Sequence, residues 1–137
     1  MHNNSPLNLV VLHGLMGSKN NFKTITSSAL LTNHLNSVSL LDLRNHGESP
    51  HTKSMLLKDM ADDLSEFIES MDNVVLLGHS LGGRVIFKYL STHHNEAMKK
   101  VKGVVAVDIL PTAVKSTYVY DLLQKLLKIN LKDVTYN

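Results

Sequence analysis

Residues 78–83 read Gly-His-Ser-Leu-Gly-Gly and follow directly on the apolar run 73–77, Asn-Val-Val-Leu-Leu. A buried strand that breaks into Gly-x-Ser-x-Gly and continues as a helix is a nucleophile elbow. The turn is so tight that the serine backbone is strained and its Oγ stands clear of the sheet. Glycine at 78 and 82 answers the collision that side chains two residues to either side of Ser80 would make. The chemistry of such a serine is acyl transfer. It requires a nucleophile, a general base, an acid that orients the base, and donors for the developing oxyanion. Ser80 supplies the nucleophile, and the helix start behind it adds the favourable field of an N-terminal dipole. The N–H of Leu81, the residue after the nucleophile, is the first expected oxyanion donor.

The second donor belongs on the loop after an earlier strand, here His13-Gly14-Leu15-Met16-Gly17-Ser18. The N–H of Leu15 is placed in that role, with Met16 as the next choice, and Gly14 lets the backbone approach a substrate carbonyl. A lone His-Gly is also compatible with a turn around a hydrogen-bonded core histidine. Following a strand and preceding the elbow, it reads as the oxyanion loop, with His13 bracing it and not acting as base. His79 adjoins Ser80, but alternation of side chains directs its ring into the fold, in a packing role. Asp108 ends the fourth predicted strand and fits the acid of the order serine, acid, histidine. The same residue could equally cap the turn around Pro111.

The base is the gap. No histidine follows Asp108, and the last in the chain is His94. His93-His94-Asn95-Glu96 is not a metal-binding H-E-x-x-H and reads as an exposed helix end, so no metal site is assigned. No Gly-Lys-Ser/Thr P-loop and no G-x-G-x-x-G dinucleotide loop is present.

These residues must be positioned by a short succession of elements. Apolar runs predict strands at 7–12, 38–43, 73–77 and 102–109. Helices are predicted at about 22–35, 55–71, 80–90 and 114–129. The alternation, with near-continuous apolar strands, calls for an α/β fold: a doubly wound parallel sheet with helices on both faces. With 137 residues, 43% apolar and 19% charged, the chain has the composition of one ordinary globular domain. A net charge of +2 argues against nucleic acid as partner, and the short basic run Lys99, Lys100, Lys102 reads as a solvated helix end. There is no cysteine, hence no disulfide or thiol nucleophile, and no apolar stretch reaches the length of a membrane span. No targeting segment is visible at the N-terminus.

Three further segments carry a resemblance. Residues 11–22 read Val-Leu-His-Gly-Leu-Met-Gly-Ser-Lys-Asn-Asn-Phe, residues 42–51 read Asp-Leu-Arg-Asn-His-Gly-Glu-Ser-Pro-His, and residues 107–111 read Val-Asp-Ile-Leu-Pro. With the elbow, they resemble the α/β-hydrolase superfamily and, within it, the esterase subgroup typified by abhydrolase-domain-eleven proteins. The resemblance implies a serine esterase or thioesterase acting on a small-molecule acyl ester or thioester, without metal or organic cofactor. It supports Asp108 as the acid, and it implies a mitochondrial setting only by analogy. Members of the subgroup begin with strands ahead of the His-Gly strand. They continue through a helical lid, further strands and the catalytic histidine. The expectation is therefore one partial domain over residues 1–137, lacking the C-terminal strands and most of the lid, with the lid beginning at about 114–137. The expected function is a serine hydrolase built on Ser80, truncated before its histidine. The alternative is an inactive truncated isoform that binds an acyl ligand or a partner protein, or self-associates through exposed sheet edges.

Overall fold

The computed structural model describes residues 6–111, with Gln124, Lys125 and Lys128 beyond them. Four strands, β1 (Leu7–Leu12), β2 (Leu35–Leu41), β3 (Val74–His79) and β4 (Val101–Val107), form one wholly parallel sheet in the order β2-β1-β3-β4. Leu9, Val10, Val11 and Leu12 are all buried, which is why β1 is an unbroken apolar run: it is covered on both faces. In β3 burial alternates, with Val74, Leu76 and Gly78 inside and Val75, Leu77 and His79 half-buried.

Helices α3 (Leu57–Phe67) and α4 (Leu81–Thr92) pack together on the face carrying Val10, Leu12, Val74 and Leu76. They contribute Met60 and Leu64 from α3, Val85, Ile86 and Tyr89 from α4, and Ile68 just beyond α3. Each such fully buried aliphatic side chain is worth about 1.5–3 kcal/mol relative to exposure. A short α5 (His94–Lys100) then leads into β4. Between β1 and β2 lie a 3₁₀ turn (Lys19–Phe22), α1 (Lys23–Thr26) and α2 (Ala29–Thr32).

That last stretch departs from the single helix expected at about 22–35, and β2 starts three residues earlier than expected. The cause is local. Thr26 turns its hydroxyl back to the Phe22 carbonyl and Ser27 to that of Thr24, and Ser28 begins a new turn, so hydroxyls compete with the helical ladder. The basic run also differs from a solvated end. Half-buried Lys100 sends its ammonium to the carbonyls of Ile68, Glu69 and Met71, tying α5 to the turn that enters β3. Apart from Gln124, Lys125 and Lys128, the predicted helix at 114–129 lies outside the described residues. Among the described residues no helix is long and apolar enough to cross a membrane.

The strand order matters for the site. The chain steps from β1 outward to β2, then returns to place β3 and β4 on the other side of β1. Connections leaving β1 and β3 therefore diverge, and a crevice opens between the carboxyl ends of these two strands, where doubly wound sheets hold their ligands. The loop 13–18 leaves one of those ends, and Ser80 leaves the other.

Candidate active site

Ser80 closes β3 and caps α4 with φ 47° and ψ −107°, a strained conformation for a residue with a side chain. Two backbone bonds hold it there: its N–H donates to the Val107 carbonyl of β4 (3.0 Å), and its own carbonyl accepts from Arg84 N–H (3.1 Å). The helical ladder starts with that second bond, so the N–H groups of Leu81, Gly82 and Gly83 have no intrahelical acceptor. The Leu81 amide, first of the three, directly follows Ser80.

Glycine is required here by space. A methyl group at Gly78 would lie 2.5 Å from Gly83 N, inside the elbow itself. At Gly82 it would lie 2.4 Å from the Leu12 carbonyl oxygen and 2.8 Å from that of His13. The second contact differs from the expected one: Gly82 makes room for the end of β1, not for the turn around Ser80. It brings α4 down onto the strand that launches the loop 13–18.

On that loop, Gly14 sits beside Ser80: a methyl group there would be 3.5 Å from Ser80 Cβ and 2.8 Å from His79 Nδ1. Gly17 N–H bonds the Gly14 carbonyl (3.0 Å), closing a tight turn whose third residue, Met16, has φ 60°. Leu15 at its tip is exposed. Gly14, Leu15, Met16, Gly17, Asn21, Phe22 and His79 line a cavity of about 440 Å³. His79 thus departs from expectation. Its ring borders this cavity and packs against Phe22 (centroids 6.4 Å apart) rather than pointing into the fold, in space that is free for it because Gly14 carries no side chain.

His13 is buried and fully engaged. Its Nδ1 pairs with the Gly14 carbonyl at 2.7 Å, and its Nε2 accepts the Leu43 N–H at 3.1 Å, which makes Nδ1 the protonated nitrogen. Burial lowers its pKa, against the opposing pull of the Gly14 bond, and keeps the ring neutral. Asp108 follows β4 with φ 53° and is exposed, and among the described residues its carboxylate has no hydrogen-bond or ion-pair partner. It neighbours Ser80 through the backbone, since the Val107 carbonyl holds the serine N–H.

The turn after β2 carries residues that sequence reading left without a role. Asp42, almost wholly buried, accepts the N–H groups of Lys19 (2.6 Å) and Glu48 (3.0 Å). Burial pushes its carboxyl up, but these amides and the nearby Lys19 ammonium outweigh that and hold it below the ordinary range. His46 accepts the Met16 N–H. The signal available was the density of Asp, Arg, His and Gly over 42–47, spacing that places polar groups at the end of a strand. Beside β2 a second cavity of about 430 Å³, crossed by the Arg44–Asp63 pair, contains neither Ser80 nor Leu15. His93, expected exposed, instead stacks half-buried on Tyr89. Among the described residues no group of three or more His, Asp or Glu could hold a metal.

This arrangement has counterparts. A model of the alpha/beta hydrolase fold matches residues 8–136. An sn-1-specific diacylglycerol lipase ABHD11 of Xenopus laevis is 42% identical over 105 residues, covering 75% of this chain and 32% of that protein. Esterase YbfF of Escherichia coli (strain K12) is 34% identical over 112 residues, covering 80% and 41%. Among solved structures, a marine microorganism esterase superposes with a TM-score of 0.75 at 34% identity, over 92% of this chain and 48% of that one. The chain thus spans about a third to two fifths of the length of these curated relatives. Because the family match starts within β1 and runs past β4, it takes in every strand and loop that meets at the crevice, and the chain belongs to the alpha/beta hydrolase fold family.

Proposed function

We propose that this chain carries the nucleophile and oxyanion half of a serine hydrolase that cleaves carboxylic esters or thioesters. The observation that carries the reading is the strained Ser80 (φ 47°) at the start of α4, with Gly14 of the neighbouring loop against its side chain. Strain of this kind persists only where the surroundings over-determine it, and it clusters at sites of chemistry. The lipase and esterase relatives support the same class of reaction.

In this reading Ser80 Oγ attacks the acyl carbon, and the Leu15 and Leu81 amides stabilise the oxyanion of the tetrahedral intermediate. Collapse breaks the bond to the leaving alcohol or thiol, which takes up the proton that Ser80 gave to the base. Water then attacks the acyl-enzyme, releasing the carboxylic acid and restoring Ser80. Asp108 is the orienting acid. The base is assigned to no residue of this chain: none of its histidines follows Asp108, and His13 has both ring nitrogens committed. Residues 1–137 alone are expected to turn over slowly, since loss of a triad histidine costs several orders of magnitude while oxyanion binding leaves a residue of rate.

The test is labelling of the full-length gene product with a fluorophosphonate, beside hydrolysis of a short-chain aryl ester. Ser80 should carry the phosphonyl adduct, and Ser80→Ala should abolish both label and turnover. Turnover that survives Ser80→Ala overturns the reading. Among the described residues β4 is an edge strand with Val104, Val105 and Val107 37–46% exposed, which favours a second property: residues 1–137 should associate through that strand. A monomeric 1–137 in sedimentation at high concentration would exclude it.

A further inference from the structure

The amide proposed to meet the oxyanion lies on a loop whose own side chains do little to hold it. Met16, next to Leu15, sits at φ 60°, and its side chain is 71% exposed, so packing does not fix this left-handed residue. Its tie is a bond to another loop: the Met16 N–H donates to His46 Nε2 at 3.2 Å. With Nε2 accepting, the proton of the neutral ring sits on Nδ1, which donates to the Arg44 carbonyl at 3.0 Å. His46 is buried and its ring leans on His13, centroids 5.0 Å apart. His13 in turn holds the Gly14 carbonyl, which also receives Gly17 N–H. The Gly14–Leu15 peptide is trans, so its N–H points away from its carbonyl. Two histidines from two loops therefore grip the peptides on either side of Leu15. His13 turns the preceding carbonyl inward, and His46 takes the following N–H out of competition.

Resting on the serine hydrolase reading, we infer that His46 is a positioning residue that holds the oxyanion loop so that Leu15 N–H, and not Met16 N–H, faces the carbonyl being attacked. It touches no reacting atom. Its influence falls on the transition state, where the oxyanion forms, and hardly on ground-state binding.

The experiment measures kcat and KM of the full-length gene product on an aryl ester for wild type, His46→Ala, His46→Gln and Ser80→Ala. It adds the ¹⁵N NMR signature of the His46 ring in wild type. His46→Ala should lower kcat by about 10²-fold, the order expected for a misplaced oxyanion donor, with KM little changed. His46→Gln, whose side-chain oxygen can reach the Nε2 position, should recover most of the loss. Wild-type His46 should show an unprotonated Nε2. The inference is overturned if His46→Ala keeps kcat within twofold, if the glutamine variant is as slow as the alanine one, or if Nε2 bears the proton. Should His46→Ala fail to fold, the glutamine variant and the wild-type ring still decide. If Ser80→Ala stays active, the hydrolase reading fails and takes this inference with it; if only the His46 results fail, that reading stands.

Discussion

Gly82→Ala sets two magnitudes against each other. Gly82 is the second residue of α4, and by helix propensity alone alanine should stabilise that position by about 1 kcal/mol. Its methyl group, however, would sit 2.4 Å from the Leu12 carbonyl oxygen and 2.7 Å from that carbonyl carbon. These are backbone atoms of the most deeply buried strand, so no side chain can swing away. Restoring ordinary contact requires α4 to lift by about 1 Å, and forced shifts of this sort cost about 1–3 kcal/mol or more. The clash outweighs propensity, and a net loss of about 2 kcal/mol is expected. Ser80 is the residue from which α4 starts, so lifting the helix moves the proposed nucleophile from the Leu15 loop, and a misplacement of this size should cost about 10²-fold in rate. Gly103→Ala is the matched control. There the methyl group meets only Val75 side-chain carbons at 3.9 and 4.0 Å, and the change should be neutral or gain about 0.5–1 kcal/mol. Guanidinium unfolding curves with unchanged slope, together with the rate of fluorophosphonate labelling of Ser80, measure both effects. If Gly82→Ala is as stable and as reactive as Gly103→Ala, the argument that Gly82 seats the elbow on β1 is wrong.

Tyr89 is fully buried, its hydroxyl has no hydrogen-bond partner among the described residues, and burial pushes its pKa to about 12. Tyr89→Phe should therefore be neutral or stabilising by up to about 1 kcal/mol in thermal unfolding, and a loss larger than that would reveal a partner for the hydroxyl. Lys100→Met keeps the aliphatic stem but removes the ammonium from three carbonyls, and a cost of about 1.5–3 kcal/mol is expected in denaturant titration. Acid should weaken the fold in two steps. His13 has a folded pKa below its ordinary 6.5, so below that pH the unfolded chain binds a proton that the folded chain refuses, and stability falls. Asp42 is held below its ordinary 3.8, so its contribution is intact above that pH and is lost as pH falls through the folded value. Unfolding midpoints across pH 7 to 3 should lose the upper step in His13→Gln and the lower step in Asp42→Asn; an unchanged profile in either variant refutes the assignment.

The geometry of the elbow is local, and so it was legible in residue order. Gly78, Ser80 and Gly82 lie within five residues, and a strand that turns sharply into a helix needs nothing distant to be recognised. The parallel sheet was legible for a similar reason: apolar runs such as 7–12 have no polar face to give to solvent, which forces burial on both sides. The break between α1 and α2 was missed because hydroxyl groups of Thr26 and Ser27 bond carbonyls only three and four residues back, a competition that apolar periodicity does not register. The packing role of His79 was legible, but the direction of its ring was not, because it depends on Gly14, sixty-five residues earlier, having no side chain where the ring sits.

His46 and Asp42 show the limit most clearly. In the chain they are two polar residues of a turn, thirty and twenty-three residues from the amides they hold. Only parallel pairing of β1 with β2 in register brings the two loops to the same end of the sheet. The proposal of Ser80 as nucleophile rests on a strand–turn–helix pattern between neighbours in sequence. The conformation of the 13–18 loop, proposed to meet the oxyanion, follows from hydrogen bonds between loops, and these exist only once the strands beneath them are paired.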